Sequence, residues 1–276
     1  MKTKKIHLLL LIIFLTKSLI LFGQTQEADY ERISKQLNKN LSINELIVKS
    51  AELLTGMPYV SGTLDESDTE KLIINFKKFD CVTFQETCAA LALDKKSENP
   101  SFENFKNKLE NLRYKNGKLA GYGSRLHYSS IWINDNIKRG NVKDLSAKLG
   151  GVKLSTKVNF MSSHSEIYKH LKNNVANISA IKQIENEINL HPVFYIEKNK
   201  IQSISNQIPS GALIFITTSK SGLDFAHVGI AVQENGVLKM IHASSTGKKT
   251  MKTPGALSSY LNSINNFTGI SVLELN

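Results

Sequence analysis

Cysteine is almost missing from this chain: two residues in 276, Cys81 and Cys88, too few for the disulfide framework of a small secreted scaffold. Five prolines and sixteen glycines exclude a collagen-like repeat and a proline-rich linker protein. Paired Cys-x-x-Cys and His-Glu-x-x-His spacings are absent, which argues against a zinc site and leaves no cofactor implied. The lysines are scattered without aromatic interleaving, and no nucleic-acid module can be recognised, so no nucleic-acid partner is expected. What remains is 41% hydrophobic and 21% charged content, the composition of a globular chain that folds by packing its core.

The N-terminus reads as an export signal. Lys2, Lys4 and Lys5 precede an apolar run from Leu8 to Leu15, and a second run spans Leu19 to Phe22. Lys17 interrupts the stretch before it reaches the roughly 20 apolar residues of a membrane span. Cleavage near Gly23 is expected, giving a signal peptide over residues 1–23 and a mature chain over 24–276 with no stable membrane anchor. Removing four lysines and no acid from 35 basic and 24 acidic residues leaves a net charge of +7. That modest excess suits a carboxylate-rich cell-envelope polymer in the periplasm or outside the cell.

Helical periodicity dominates the first two thirds. Residues 27–54 carry apolar residues at helical spacing with Ser42 as an N-cap, and further helical patterns cover Phe102–Tyr114, Tyr128–Lys138 and Ser165–Leu190. After Pro192 the texture changes to short runs that predict strands: Val193–Ile196, Ala212–Thr217, Val228–Val232, Val237–Ile241 and Ile270–Leu273. Helices first and strands last, without βαβ alternation, predict an α+β fold with a mainly antiparallel sheet. No repeat or linker divides the mature chain, so one domain is expected.

Asp80 is a good N-cap, and Cys81, Phe84, Cys88 and Leu91 then share one helical face. Cys81 falls in the first turn, where free N–H groups and the helix dipole favour the nucleophilic thiolate. Seven helical residues separate Cys81 from Cys88 by about 10.5 Å, beyond the roughly 7 Å limit for a disulfide, so both are expected as free thiols. Cys88 reads as a small buried hydrophobe. Cys81 alone fits core packing as well as catalysis.

Two strands, Phe225–Val232 and Val237–Ser244, flank Asn235-Gly236, the strongest short hairpin signal. A two-residue turn there sets Glu234 opposite Val237 and His242 opposite Gly229. His227 and His242 become diagonal neighbours on one face, Cα atoms roughly 7–8 Å apart. The same face carries Gly229 and Ala231, small enough for the helix of Cys81 to dock, with Val228, Ile230 and Val232 on the other side. The chemistry that follows is thiol catalysis: His227 takes the Cys81 proton, His242 orients His227, and the thiolate attacks an amide carbonyl. Backbone N–H groups at the helix start would hold the oxyanion, with Tyr59 as a side-chain donor.

These residues resemble a known group. Gly56-Met57-Pro58-Tyr59-Val60, Phe79-Asp80-Cys81, Ala226-His227-Val228-Gly229 and Ile241-His242-Ala243 are similar to the NlpC-type cell-wall cysteine hydrolases. Ser124-Arg125-Leu126-His127-Tyr128, Phe160–His164, Gly222-Leu223-Asp224 and His242-Ala243-Ser244-Ser245 point to one branch, the N-acetylmuramoyl-L-alanine amidase-like proteins. The resemblance implies a papain-like α+β fold in which the nucleophile helix, with helical insertions around it, packs on the sheet. It also implies a Cys81, His227, His242 site that hydrolyses peptidoglycan fragments between N-acetylmuramic acid, or its 1,6-anhydro form, and L-alanine. Ser61-Gly62 and Gly211-Ala212 stand where the larger group commonly has Trp-Gly and Gly-Asp, which argues against endopeptidase-type contacts.

The remaining matching blocks supply substrate-binding candidates: Arg125 and His127 for a carboxylate or sugar hydroxyl, Tyr122 and Tyr128 for stacking, Asp224 as an acceptor. Each also has a structural reading. Tyr128 and Trp132 fit the core of a helix, Asp224 a turn after Gly222, and Ser163 a helix cap with Glu166 as its capping-box partner. The competing functions are an endopeptidase cutting within the stem peptide, a metal hydrolase, acyl transfer through the same acyl-enzyme, and a non-catalytic wall-binding module.

Overall fold

Ser42 and Asp80, the cap residues read from the sequence, both start helices. The Ser42 side chain accepts from the Glu45 N–H at the head of Ile43–Leu53 (α1), with Glu45 returning the bond. Asp80 and Thr83 form the same reciprocal box at the head of Cys81–Lys96 (α2). Phe102–Arg113 (α3) and Ser129–Lys138 (α4) follow, each within a residue of its expected span. The computed structural model describes residues 25–276, of which 25–34 are also helical; the export signal expected over residues 1–23 lies outside them. Among the described residues no helix is long and apolar enough to cross a membrane.

The helix expected over Ser165–Leu190 is shorter. Only Val175–Leu190 (α5) is regular, because Asn173 takes a positive φ of 58° and Asn174 caps the helix by accepting from the Asn177 N–H. Upstream the chain forms a short turn of helix at Phe160–Ser163 without a side-chain cap, so the Ser163–Glu166 capping box does not form.

Eight strands build one antiparallel sheet: Val142–Asp144 (β1), Val152–Lys153 (β2), Phe194–Glu197 (β3), Leu213–Thr218 (β4), Phe225–Glu234 (β5), Val237–Ser244 (β6), Lys249–Lys252 (β7) and Phe267–Leu275 (β8). The order is β2-β3-β8-β4-β5-β6-β7, with β1 also paired on β8. The five predicted strand runs are all present, and the α+β class holds. β1, β2 and β7 were not expected; they are short, and β7, with lysine at both ends, ends the strand order. Asn235 and Gly236 both have positive φ, 52° and 76°, as a type I′ turn requires. Glu234 pairs with Val237 and Ile230 with Ile241, the register predicted for the hairpin.

The sheet separates two apolar clusters. One contains Phe84, Cys88 and Leu91 of α2 together with Val228, Ile230, Ile241 and Ala243. The other contains Ala231, Met240, Ile214 and Ile270 with Leu257 and Leu261 of a short helix, Leu257–Asn262 (α6). α2 therefore packs on the Val228/Ile230 face, not on the Gly229/Ala231 face expected for it. The branched side chains offer more apolar area to bury, and the glycine serves a different neighbour: a Cβ at Gly229 would lie 2.6 Å from the Met240 side chain.

α2 is buried on nearly every side, and its polar residues are satisfied there. Gln85 donates to the carbonyls of Ile214 and Gly229, tying the helix to β4 and β5. Glu86 accepts from Arg113 Nε at 2.7 Å and from Trp132 Nε1 at 3.1 Å, while Arg113 also donates to the Ile73 carbonyl. This buried ion pair joins α2, α3 and α4. Removing one member strands the other charge in the core, so Glu86→Ala should lower unfolding stability by about 3–5 kcal/mol, measurable by urea denaturation.

Candidate active site

The start of α2 is held from outside the helix. The Phe79 N–H donates to the Pro58 carbonyl at 3.0 Å, and the Val60 N–H donates to the Phe79 carbonyl at 2.9 Å. The Gly-Met-Pro-Tyr loop is in turn stitched to β7: Gly56 N–H to Thr250 O, Thr250 N–H to Met57 O and Tyr59 N–H to Lys248 O, all 2.8–2.9 Å. Cys81, the first residue of α2, is thus placed by a loop that is itself an extension of the sheet edge.

His227 reaches the same place through an irregularity. Ile216 pairs with His227 but Thr217 pairs with Phe225, leaving Ala226 as an extra residue in β5. Such a bulge bends a strand and re-aims its side chains. Phe225 and Val228 consequently share the apolar face packed against α2, and the Val228 N–H is directed at the Cys81 sulfur. Cys81 and His227 line the same cleft, of about 270 Å³.

The two histidines meet as the hairpin register requires. His227 Nε2 lies 2.6 Å from His242 Nδ1, with the rings edge to face at 86°. Burial pushes the His242 imidazole down to about 4. Burial, and then the neighbouring His242, push His227 down to about 3. The pair is therefore neutral near pH 7 and shares one N–H between the facing nitrogens.

Cys81 departs from expectation in its protonation. The N–H groups of Val228, Val82 and Cys81 itself do favour a thiolate, as the helix start implies. Burial outweighs them and, with the charge of Asp80, pushes the thiol up to about 12. The resting site is a neutral thiol beside neutral imidazoles. Cys88 is a free thiol in the core, and no disulfide links it to Cys81.

The other sequence-derived candidates line the cleft, except Tyr59, which lies beside Cys81 and Asp80. Tyr122 is buried, with the Arg125 guanidinium 5.1 Å from its ring centre and His127 and His170 packed against it. Arg125 is only 6% exposed and pairs with Asp65 at 2.6 Å and Glu70 at 3.7 Å. His127 donates from Nε2 to the Tyr122 carbonyl, and burial holds it down to about 3.

Two candidates are engaged inside the protein. Tyr128 is 2% exposed, and its hydroxyl donates to Glu185 and accepts from the Met161 N–H, both at 2.7 Å. Its ring is core, not a free platform for a sugar. Asp224 is 1% exposed and accepts from the Ser130 and Phe225 N–H groups. It caps α4 from across the fold, since Tyr128 at the cap position provides no side-chain bond. Asp65, Tyr168 and Tyr260 also stand at or near the site, and no motif or periodicity marked them. Among the described residues no cluster of three or more His, Cys, Asp or Glu is arranged to hold a metal ion.

A model of the AmiA-like family, N-acetylmuramoyl-L-alanine amidase-like proteins, matches residues 49–270. The chain belongs to this family. It is similar to a solved N-acetylmuramoyl-L-alanine amidase from Bacteroides uniformis, with 35% identity over 85% of this chain and 99% of that one and a TM-score of 0.80. A Bacteroides fragilis structure provisionally named a xylanase is 38% identical over 82% of this chain and 98% of that one, with a TM-score of 0.77. The Legionella pneumophila protein LPG0564, 24% identical, covers 91% of this chain and 93% of that one at a TM-score of 0.70, a likeness of fold. No curated protein sequence matches the chain.

Three neutral histidines, His242 buried and His127 and His227 half-buried, couple stability to pH. Their native values lie well below the ordinary 6.5, so below that pH the unfolded chain binds more protons than the native one. Their contribution is complete above pH 6.5 and is lost as pH falls towards 4. The melting temperature should drop across that window, and His127→Gln should flatten the drop, read by calorimetry from pH 7 to pH 4.

Proposed function

We propose that the protein is an exported cysteine amidase that hydrolyses peptidoglycan fragments at the amide joining N-acetylmuramic acid, in its ordinary or 1,6-anhydro form, to L-alanine. The observation that carries this reading is the convergence of the Cys81 helix start, Val228 and His227 at one cleft wall, with His242 bonded to His227. Family membership and the Bacteroides uniformis amidase support the bond assigned. The signal over residues 1–23 and a single papain-like domain over 24–276 complete the proposal.

With Nε2 of His227 engaged by His242, Nδ1 is the nitrogen available to Cys81. Nδ1 takes the thiol proton as Sγ attacks the lactyl carbonyl carbon of the muramoyl group. His227 becomes an imidazolium whose Nε2–H donates to His242 Nδ1, which holds the ring and accepts the charge-assisted bond. The oxyanion is held by N–H groups at the start of α2 and by the Tyr59 hydroxyl. As the tetrahedral adduct collapses, the C–N bond breaks, His227 gives its proton to the alanine nitrogen, and a thioester remains on Cys81. His227 then deprotonates water, which attacks the thioester, releasing the muramoyl acid and restoring the thiol. The Tyr122, Arg125 and His127 end of the cleft receives the sugar.

Glycoside hydrolysis, the activity in the Bacteroides fragilis protein's name, has weaker support. That chemistry needs one free carboxylate and one free carboxylic acid. The cleft carboxyls are all engaged: Asp80 caps α2, Glu86 binds Arg113 and Trp132, Asp224 caps α4 and Asp65 pairs with Arg125.

Mass spectrometry of products from muramyl-L-alanine and a muramyl peptide tests the assignment. Wild type should release free L-alanine from the first substrate. Cys81→Ala should release none, and His227→Ala should lose about 10²–10⁴-fold in rate. Cleavage only inside the peptide would make the protein an endopeptidase, and binding of either compound without cleavage would make it a wall-binding module.

A further inference from the structure

His242 is 2% exposed although it belongs to a β-hairpin close to the edge of the sheet. Its Nδ1 is taken by His227. Tyr260 packs against its ring, edge to face at 5.2 Å and 64°. Tyr260 sits on α6, anchored by the buried Leu257 and Leu261, and is backed by Phe267 at 6.0 Å. Ser258 of the same helix donates to Gln202, which fixes the helix against the chain leading into β4. Tyr260 is also near enough to Cys81 to feel the charge of its thiolate. No other aromatic ring besides His227 is stacked on His242 among the described residues.

We propose that Tyr260 is a positioning residue of this site: its ring keeps water off His242, so that His242 stays neutral and presents Nδ1 as an acceptor to His227. The inference rests on the Cys81–His227 reading above. The groups that face or border His242 are few. His227 comes from β5, Tyr260 from α6, and Cys81 from α2, which shares the cleft with His227. β7 sets Met251 opposite His242, flanked by Lys249 and Lys252, the latter held by Glu234. None of these charges registers at His242, whose imidazole is held down by burial alone.

The consequence is a pH effect with a definite sign. A protonated His242 would donate through Nδ1 and could no longer accept from His227, so the thiol would lose its base. With the Tyr260 ring in place, that failure lies below pH 5. Without it, water reaches the imidazole and the failure moves up towards the ordinary histidine range near 6.5.

The test is the rate of Cys81 alkylation by iodoacetamide from pH 5 to pH 8, which needs no substrate. Cys88 is buried, and a Cys88→Ala background removes its signal. Wild type should keep its base-assisted rate down to pH 5, and Tyr260→Phe, which retains the ring, should superimpose on it. Tyr260→Leu should match wild type near pH 8 and fall about tenfold between pH 7 and pH 5. A Tyr260→Leu profile identical to wild type would overturn the proposal, as would a Tyr260→Phe profile shifted like that of Tyr260→Leu, which would assign the effect to the hydroxyl. Circular dichroism checks folding, and Tyr260→Met replaces the leucine variant if that one does not fold. His227→Ala separates the two readings: if it alkylates like wild type at every pH, the Cys81–His227 reading fails. If it differs while Tyr260→Leu does not, only the present inference fails.

Discussion

Four residues of edge strand connect the two halves of the site. β7 accepts the loop that fixes Phe79, and with it the first turn of α2, through the backbone of Thr250. On its other side it pairs with β6, setting Met251 opposite His242. The sulfur and the histidine pair are therefore held in place by one short, doubly bonded strand together with the bond from Gln85 of α2 to the Gly229 carbonyl of β5. Neither α2 nor the β5–β6 hairpin could shift without breaking main-chain hydrogen bonds, which is the kind of rigidity a reacting pair requires.

The parts of this arrangement that were legible in the sequence are local. Asp80 with Thr83, Ser42 with Glu45 and Asn235-Gly236 are short-range signals whose physics acts within a turn, and the hairpin register followed from the last of them. The bulge at Ala226 was not legible. Alternation assigns faces by counting in twos, and an extra residue makes Phe225 and Val228 partners across a spacing of three. Counting in twos also put α2 on the small-residue face, because a glycine in a strand does not reveal whether a helix or a methionine fills the space above it. The resemblance identified Tyr128 and Asp224 as part of the site, but their bonds to Glu185, Met161 and Ser130 join elements far apart in the chain. β7 and Tyr260 gave no pattern, since the first is a polar edge and the second acts through a tertiary contact.

The electrostatics show which of two opposed effects wins. The helix start and three amide groups favour a thiolate, each by an amount ordinary for a helix terminus. Burial of the sulfur acts in the other direction and is larger. The same burial keeps both imidazoles neutral. In the mechanism proposed above, charge separation is then deferred to the moment when a substrate carbonyl supplies a place for the electrons, and the amides that could not ionise the thiol unaided are already oriented for that charge.

A neutral, half-buried thiol has a further meaning for a protein expected to work outside the reducing interior of the cell. Oxidants, like alkylating reagents, react with the thiolate and need access to it. Under the proposed mechanism Cys81 ionises only in company with its substrate, which protects it from sulfenylation and from chance mixed disulfides between encounters, and Cys88, sealed in the core, offers it no resolving partner. The burial that slows the resting cysteine is thus also its shelf life.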